Sequence, residues 1–444
     1  LKNQLVSTAK APELIKKLWM TFALLAVYRM GVFVPTPGVN SEALGQFISE
    51  GANIFGFFNA FTGGALERFS VFALGIMPYI SSSIIFSLLT AVNDKLARLQ
   101  KEGGDLGRKK INQYTRYGTV AIAIVQGYGI ASWLQSNPGG MSIVENPGWT
   151  FVFLTVCTLT AGTVFIMWLG EQITQRGIGN GTSLIIFASI VSTFPTAVAF
   201  MWEQVQLGEM RVGDFLTLSL LAVGMMAFIV FVERAQRRIP IHHAKKVVGR
   251  KMYGASMQFL PLKINMAGVI PPIFAMSVLL FPGTLAHFFE ARFPQLSELS
   301  TWFQPGNWIY NTFYSAGIIF FCYFYTAIQF NPDDVADNVK RGGGFVPGIR
   351  PGKNTAEFID RVMTRLTTAG AVYITLVCIT PFFFFDSYQV FLGGTSILIV
   401  VGVCLNFVEQ IQSHLMAQRY DGFMGDSGSG SSRPKRFSRS GRGA

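Results

Sequence analysis

Ten blocks of about 17–26 predominantly apolar residues follow one another along this chain. They fall at about 18–34, 69–92, 117–135, 150–170, 180–202, 213–232, 264–289, 307–330, 366–385 and 391–412. Each has the length a helix needs to cross the hydrocarbon core of a bilayer. No other feature restricts the fold as severely. Hydrocarbon offers no partner to a backbone amide, so a single chain of such blocks crosses as helices. Only 14% of the 444 residues are charged, well below the share in soluble domains. The expected fold class is all-α: a polytopic membrane protein of ten transmembrane helices. Asn53 to Leu66 is too short to span and is expected as a half-helix or re-entrant segment before the second span. Leu14 to Val34 has no small-residue cleavage site and reads as the start of the first span, not as a cleaved leader.

The loops set the orientation. Lys2, Lys10, Lys16 and Lys17, the 93–116 loop, Arg176, the 233–263 and 331–365 loops and the C-terminal tail carry the basic residues on one side. The other side holds only Arg68, Arg211 and Arg292 among many acids. By the positive-inside rule the basic side, with both termini, is cytoplasmic. Spans 1–5 then start inside and spans 6–10 outside. The two halves, 18–202 and 203–412, have opposite topology, as an inverted repeat requires. A cytoplasmic segment, 1–17, precedes them. The tail, 413–444, is Gly/Ser/Arg-rich and expected to be disordered from about Gly425. Its basic residues suit anionic lipid head groups.

Two apolar stretches interrupted by Gly and Pro occupy matching places in the halves. Gly75-Ile76-Met77-Pro78-Tyr79-Ile80 belongs to span 2 and Gly268-Val269-Ile270-Pro271-Pro272-Ile273 to span 7. Ordinary helix kinks would give the same local pattern. Paired interruptions in inverted halves point instead to a transport pathway between them.

Little in the chain suggests catalysis. The one ionisable residue expected mid-span is Arg29, with Glu171, Glu233, Asp386 and Glu409 at span ends. No relay of acids and histidines crosses the membrane, which disfavours an ion-coupled permease. No His-Glu-x-x-His motif is present, which disfavours an intramembrane metalloprotease. The four cysteines sit inside apolar blocks without metal-ligand spacing and read as small buried hydrophobes. His242 and His243 are adjacent, a poor arrangement for one ion. No cofactor or metal is expected.

The 233–263 and 331–365 loops are far longer than helix connections need. Val247 to Met257 has the pattern of a hairpin around Arg250-Lys251, and Val346-Pro-Gly-Ile-Arg350-Pro-Gly that of a rigid turn displaying one arginine. Topology signalling needs charge but no shape. Shaped basic turns favour docking to a large acidic partner, and RNA would fit the charge equally well.

Several long stretches resemble the SecY/Sec61-alpha family of protein-translocation channels, over essentially the whole chain apart from the tail. They are FTGGALERFSVFALGIMPYISSSII (61–85), GRKKINQYTRYGT (107–119), LGEQITQRGIGNGTSLIIFASIV (169–191), LPLKINMAGVIPPIFA (260–275), FNPDDVADNVK (330–340), GFVPGIRPGKNTAEFIDRVMTRLT (344–367) and GGTSILIVVGV (393–403). The resemblance implies a clamshell of two five-helix halves around an hourglass pore in a bacterial inner membrane. It implies a plug at about Ile54–Phe69, including Phe61, Gly63, Gly64, Glu67 and Arg68. Its pore ring would be Ile76, Ile80, Ile186, Ile273 and Ile399, with Thr182 where bacterial relatives usually carry isoleucine. The same resemblance implies a lateral gate with Ser87, Gln126 and Asn265 among its polar residues. Motor and ribosome docking would fall on Arg350, Arg250, Lys251, Lys245, Arg237 and Arg238. The implied partners are SecE and SecG in a heterotrimer, the SecA ATPase, the ribosome, the signal-recognition-particle receptor FtsY, SecDF and YidC. The implied substrate is an unfolded preprotein.

Overall fold

The structure, a computed structural model, describes residues 12–41, 43–45, 59, 61–102, 104–135, 143–243, 246–248, 251–253, 257–289, 302, 307–388 and 393–428. Each of the ten expected spans contains a helix. These are α1 (Pro12–Gly31), α2 (Met77–Val92), α4 (Gly104–Gln135), α5 (Trp149–Arg176), α6 (Gly181–Leu207), α7 (Val212–Arg234), α8 (Ile270–Phe289), α9 (Trp308–Gln329), α11 (Lys353–Tyr388) and α12 (Gly394–Gly428). Two short polar helices, α3 (Asp94–Glu102) and α10 (Pro332–Arg341), lie in the loops before α4 and α11.

Two helices start later than their apolar blocks. The second block begins near residue 69, yet α2 begins at Met77. The seventh begins near 264, yet α8 begins at Ile270. The cause is the same in both. Gly75 and Gly268 adopt left-handed backbone, φ +56° and +66°, which ends the preceding turn and which other residues resist. Prolines then occupy the first helical positions, where no N–H is needed. The Gly-x-x-Pro pattern therefore marks paired helix starts, not kinks.

Helices of the first half pack largely on one another, α2 with α4, α4 with α5 and α5 with α6. In the second half α8 packs with α9, α9 with α11, and α12 with α10's neighbour α11 and with α7. Between the halves, α8 touches both α2 and α4, and α12 touches α6. One large apolar core runs through these junctions, from Tyr28 and Phe72 through Ile80 and Ile186 to Ile273, Ile374 and Ile399.

The strands all lie in the loops. Strand β1 (Gln236–His243) pairs antiparallel with β4 (Met257–Lys263) from Gln236 opposite Lys263 to His242 opposite Met257. Its other edge takes β5 (Gly344–Phe345) from the second long loop. The expected hairpin exists but is shorter. Strands β2 (Lys246–Val248) and β3 (Lys251–Tyr253) pair antiparallel, from Lys246 opposite Tyr253 to Val248 opposite Lys251. The ribbon is anchored because Ile239 and Leu262 are buried beside Val346, Ile359 and Met363.

Candidate functional site

At the junction of the halves, α2, α6, α8 and α12 each contribute branched apolar side chains. Ile76 caps α2 and Ile80 follows one turn later on the same face. Ile186 lies on α6, Ile273 in the first turn of α8 and Ile399 on α12. All five are 0–7% exposed and belong to one continuous apolar cluster. Thr182, one turn before Ile186, is half-buried. Asn180 caps α6 by accepting the Thr182 N–H at 3.1 Å. The Thr182 side chain lies near that of Tyr79 on α2, a proximity not readable from sequence.

Beside this cluster, toward the β4 end, opens a cavity of about 630 Å³. Its walls come from both halves, with Asn180 and Leu184 on one side and Glu233, Asn265, Val269 and Glu409 on the other. Two polar pairs line it: Asn265 Nδ2 donates to Glu233 Oε1 at 2.6 Å, and Lys263 Nζ to Glu409 Oε2 at 2.7 Å. The apolar cluster thus adjoins a cavity of mixed apolar and polar walls.

The chain before α2 is a run of turns packed on α1, α5 and α6. Phe61 and Gly63 are buried, Gly64 is half-buried, and Glu67 and Arg68 are exposed. Asn59 organises the turn, donating from Nδ2 to Glu67 Oε2 at 2.9 Å and accepting the Glu67 N–H at 3.1 Å. Residues 54–58 and 60 of the expected plug lie outside the described residues. Arg29 is not mid-span: α1 ends at Gly31, so Arg29 sits in its last turn. Its Nη1 donates to the Gly63 carbonyl at 2.7 Å. Tyr28 lies within reach of the Thr62 carbonyl, 3.4 Å, and of Ser189 Oγ, 2.6 Å. Sequence reasoning noted Arg29 but missed Tyr28 and Ser189. A lone arginine near an apolar block was the available signal.

The three gate candidates are apart in their bonding. Ser87 Oγ donates to the Ser83 carbonyl of its own helix at 2.7 Å. Gln126 is buried in α4. Asn265 is satisfied locally, by Glu233 and by both backbone groups of Gly268 at 3.0 Å. A polar link that spacing did not suggest joins spans 2 and 3: Ser82 Oγ donates to the Thr115 carbonyl at 2.7 Å.

Among the docking candidates, Arg237 and Arg238 are exposed on β1, and Lys251 opens β3. Lys245 and Arg250 lie outside the described residues. Arg350 is exposed on the expected turn, which closes through Ile349 N to Val346 O at 3.1 Å. Gly348 there is left-handed at φ +81°, and Thr355 Oγ1 holds the Arg350 carbonyl at 3.0 Å.

These features describe a multi-pass helical membrane protein with a continuous cluster of branched apolar side chains between its two halves. Solved structures share the fold. One titled as a protein conducting channel matches with a TM-score of 0.64 at 16% identity, over 90% of this chain and 92% of that one. Sec61 in the canine ribosome-channel complex from the endoplasmic reticulum matches with 0.62 at 15%, over the same shares. The SecY family model matches residues 70–408. The protein translocase subunit SecY of Escherichia coli strain K12 is 50% identical over 414 residues, 92% of this chain and 93% of that protein. The same subunit of Aquifex aeolicus is 44% identical over 418 residues, 93% of this chain and 97% of that protein. The chain belongs to the SecY family.

Proposed function

We propose that this chain is the central protein-conducting channel of a Sec translocon. It passes unfolded preproteins across a bacterial inner membrane and releases transmembrane segments sideways into lipid, with both termini cytoplasmic. The observation that carries the reading is the cluster of buried isoleucines between the halves, beside a cavity walled by both, which we read as the neck of the conduit. A conduit for polypeptide must admit any side chain yet stop ions. Fixed polar groups would bind the passing chain and hold it. Branched apolar side chains close around whatever is present, and an empty apolar neck excludes ions by dewetting. Apolar contact is non-directional, so it tolerates every passing sequence.

In this reading Ile76, Ile80, Thr182, Ile186, Ile273 and Ile399 form the gasket, and the turns around Phe61–Arg68 belong to the plug. The seam of α8 against α2 and α4 is the lateral gate, with Ser87, Gln126 and Asn265 along it. The exposed arginines of β1 and the Arg350 turn dock SecA or the ribosome, which with the proton-motive force supply the energy. SecE and SecG complete the heterotrimer, with FtsY, SecDF and YidC as further partners. The chain itself is not an enzyme.

The test is cross-linking. A preprotein stalled in transit should form an adduct with a cysteine placed at Ile80 or Ile273, and none with one on the lipid face at Leu220. Adducts missing at both neck positions with an engaged substrate would overturn the reading.

A further inference from the structure

A short helical turn ends at Thr62 and the chain leaves it at Gly63 inside an apolar core, so the Thr62 and Gly63 carbonyls need donors from elsewhere. Two neighbours in sequence provide them. Arg29 Nη1 donates to Gly63 O at 2.7 Å, a charge-assisted bond. The Tyr28 hydroxyl stands 3.4 Å from Thr62 O and 2.6 Å from Ser189 Oγ. Ser189 donates its own proton to the Ile185 carbonyl at 2.9 Å. The Tyr28 proton is therefore shared between the turn and α6. Tyr28 is 1% exposed and its ring stacks on Phe72 at 5.9 Å, which fixes where the hydroxyl points.

The fit around Gly63 is close. It is left-handed at φ +70°, and a Cβ there would stand 3.0 Å from Ser189 Cα and 3.1 Å from Arg29 Nη1. On the outer side, Phe33 of the segment after α1 lies against both the Arg29 and the Arg68 guanidinium groups, 5.3 and 4.4 Å from their Cζ atoms to the ring centroid. Arg29 thus touches the turn through its carbonyl and shares an aromatic face with Arg68.

We infer that Tyr28, Arg29 and Ser189 form a clasp that ties release of the 62–63 turn to the position of α6. This inference rests on the segment being the plug. Ser189 lies one turn beyond Ile185 and three residues beyond Ile186 on the neck-forming helix. Widening the neck moves α6 outward and takes Ser189 away from Tyr28. Without Ser189 the Tyr28 hydroxyl is no longer braced at its long, 3.4 Å contact with Thr62 O, and the turn is held chiefly by Arg29. With the neck closed, both bonds stand and the turn stays seated. Plug release is thereby coupled to pore width by three positioning residues that need not touch the passing polypeptide.

The experiment uses the full chain in its partner complex, reconstituted in lipid vesicles, with the four native cysteines changed to serine. Thr62, 1% exposed, becomes Thr62→Cys, and its labelling by an impermeant maleimide from the outer side reports unseating. Loss of a charge-assisted bond predicts about ten-fold or faster labelling in Arg29→Met, with Arg29→Lys restoring most of the protection. Tyr28→Phe keeps the ring stack, and Ser189→Ala keeps the helix. Each should speed labelling by a smaller factor, and the double variant should equal Tyr28→Phe alone, because Ser189 acts on the turn only through the Tyr28 hydroxyl. Parent-rate labelling in Arg29→Met overturns the clasp, as does full additivity of Tyr28→Phe and Ser189→Ala. Should Arg29→Met fail to assemble, the Tyr28 and Ser189 variants decide alone. A separate chain lacking residues 59–66 tests the plug itself through ion leak. If that chain leaks while the clasp variants label at the parent rate, the clasp alone falls. If it does not leak, the plug assignment falls and the clasp with it.

Discussion

Thr182 shows how one hydroxyl alters an apolar neck. On the proposed reading this chain carries a threonine where the resemblance implies isoleucine, a smaller side chain with an oxygen. The Tyr79 side chain on α2 lies near it. Thr182→Ile should lower the resting potassium leak of reconstituted vesicles a few-fold and leave preprotein transport near the parent rate. An unchanged or larger leak would show that Tyr79 already seals this position. The resemblance singles out Thr182 through the LGEQITQRGIGNGTSLIIFASIV stretch that contains it. Its proximity to Tyr79 was not legible, because Tyr79 and Thr182 are 103 positions apart (182 − 79) and no spacing rule joins them. Arg29 was legible as an oddity. Its purpose depended on the left-handed Gly63, which only the fold brings alongside.

Among the elements, the ten spans were visible as apolar blocks, and each holds a helix. The starts of α2 and α8 were misjudged by about six to eight residues, because apolar content continues through the preceding turns. Hydropathy senses burial, and a buried turn is as apolar as a buried helix. The loops were harder still. Basic residues with Gly and Pro announced shape, and the β2–β3 hairpin and the Arg350 turn followed. The long β1–β4 pairing did not, since its inward residues, Ile239, Ile241 and Leu262, are few against many charges. That pairing gives the arginines a firm base. Arg350→Glu should abolish motor-driven export while the protein still inserts in the membrane and unfolds at the parent temperature. Normal export by this variant in a reconstituted assay would remove Arg350 from the docking surface. Retained stability is expected because Arg350 is exposed and its turn is held by backbone bonds.

At the scale of the whole chain, two halves meet along two seams, α8 with α2 and α4, and α12 with α6. The opposite topology of the halves was readable from loop charge alone, since charge placement needs no packing information. Which polar groups join which helices was not readable. Asn265 turns to Glu233 and Ser87 to its own helix, whereas Ser82 ties α2 to α4. The tie makes α2 and α4 one body on one lip of the seam. A Cβ at Gly118 of α4 would stand 2.4 Å from Ser82 Oγ and 2.8 Å from Phe86 Cε2. Gly118→Val should therefore wedge the pair apart, at a cost of about 1–3 kcal/mol. We expect a lower unfolding temperature in detergent and export of preproteins whose signal sequences are weakened. Unchanged stability together with unchanged signal dependence would mean that the lip is not a single body.

The ribbon between α7 and α8 has a mechanical meaning. A single residue, Ala235, separates α7 from β1, and β4 runs into α8 through only residues 264–269. The ribbon's inward side is seated on α11 through Ile359 and Met363. Strands of this length extend roughly 25 Å. A sideways push at the far end of such a stiff arm produces torque at its root, where α7 and α8 attach. Had the loop been slack, the same push would have been spent bending it. A partner docked on the ribbon, as proposed, would hold the second half by a crank rather than a tether.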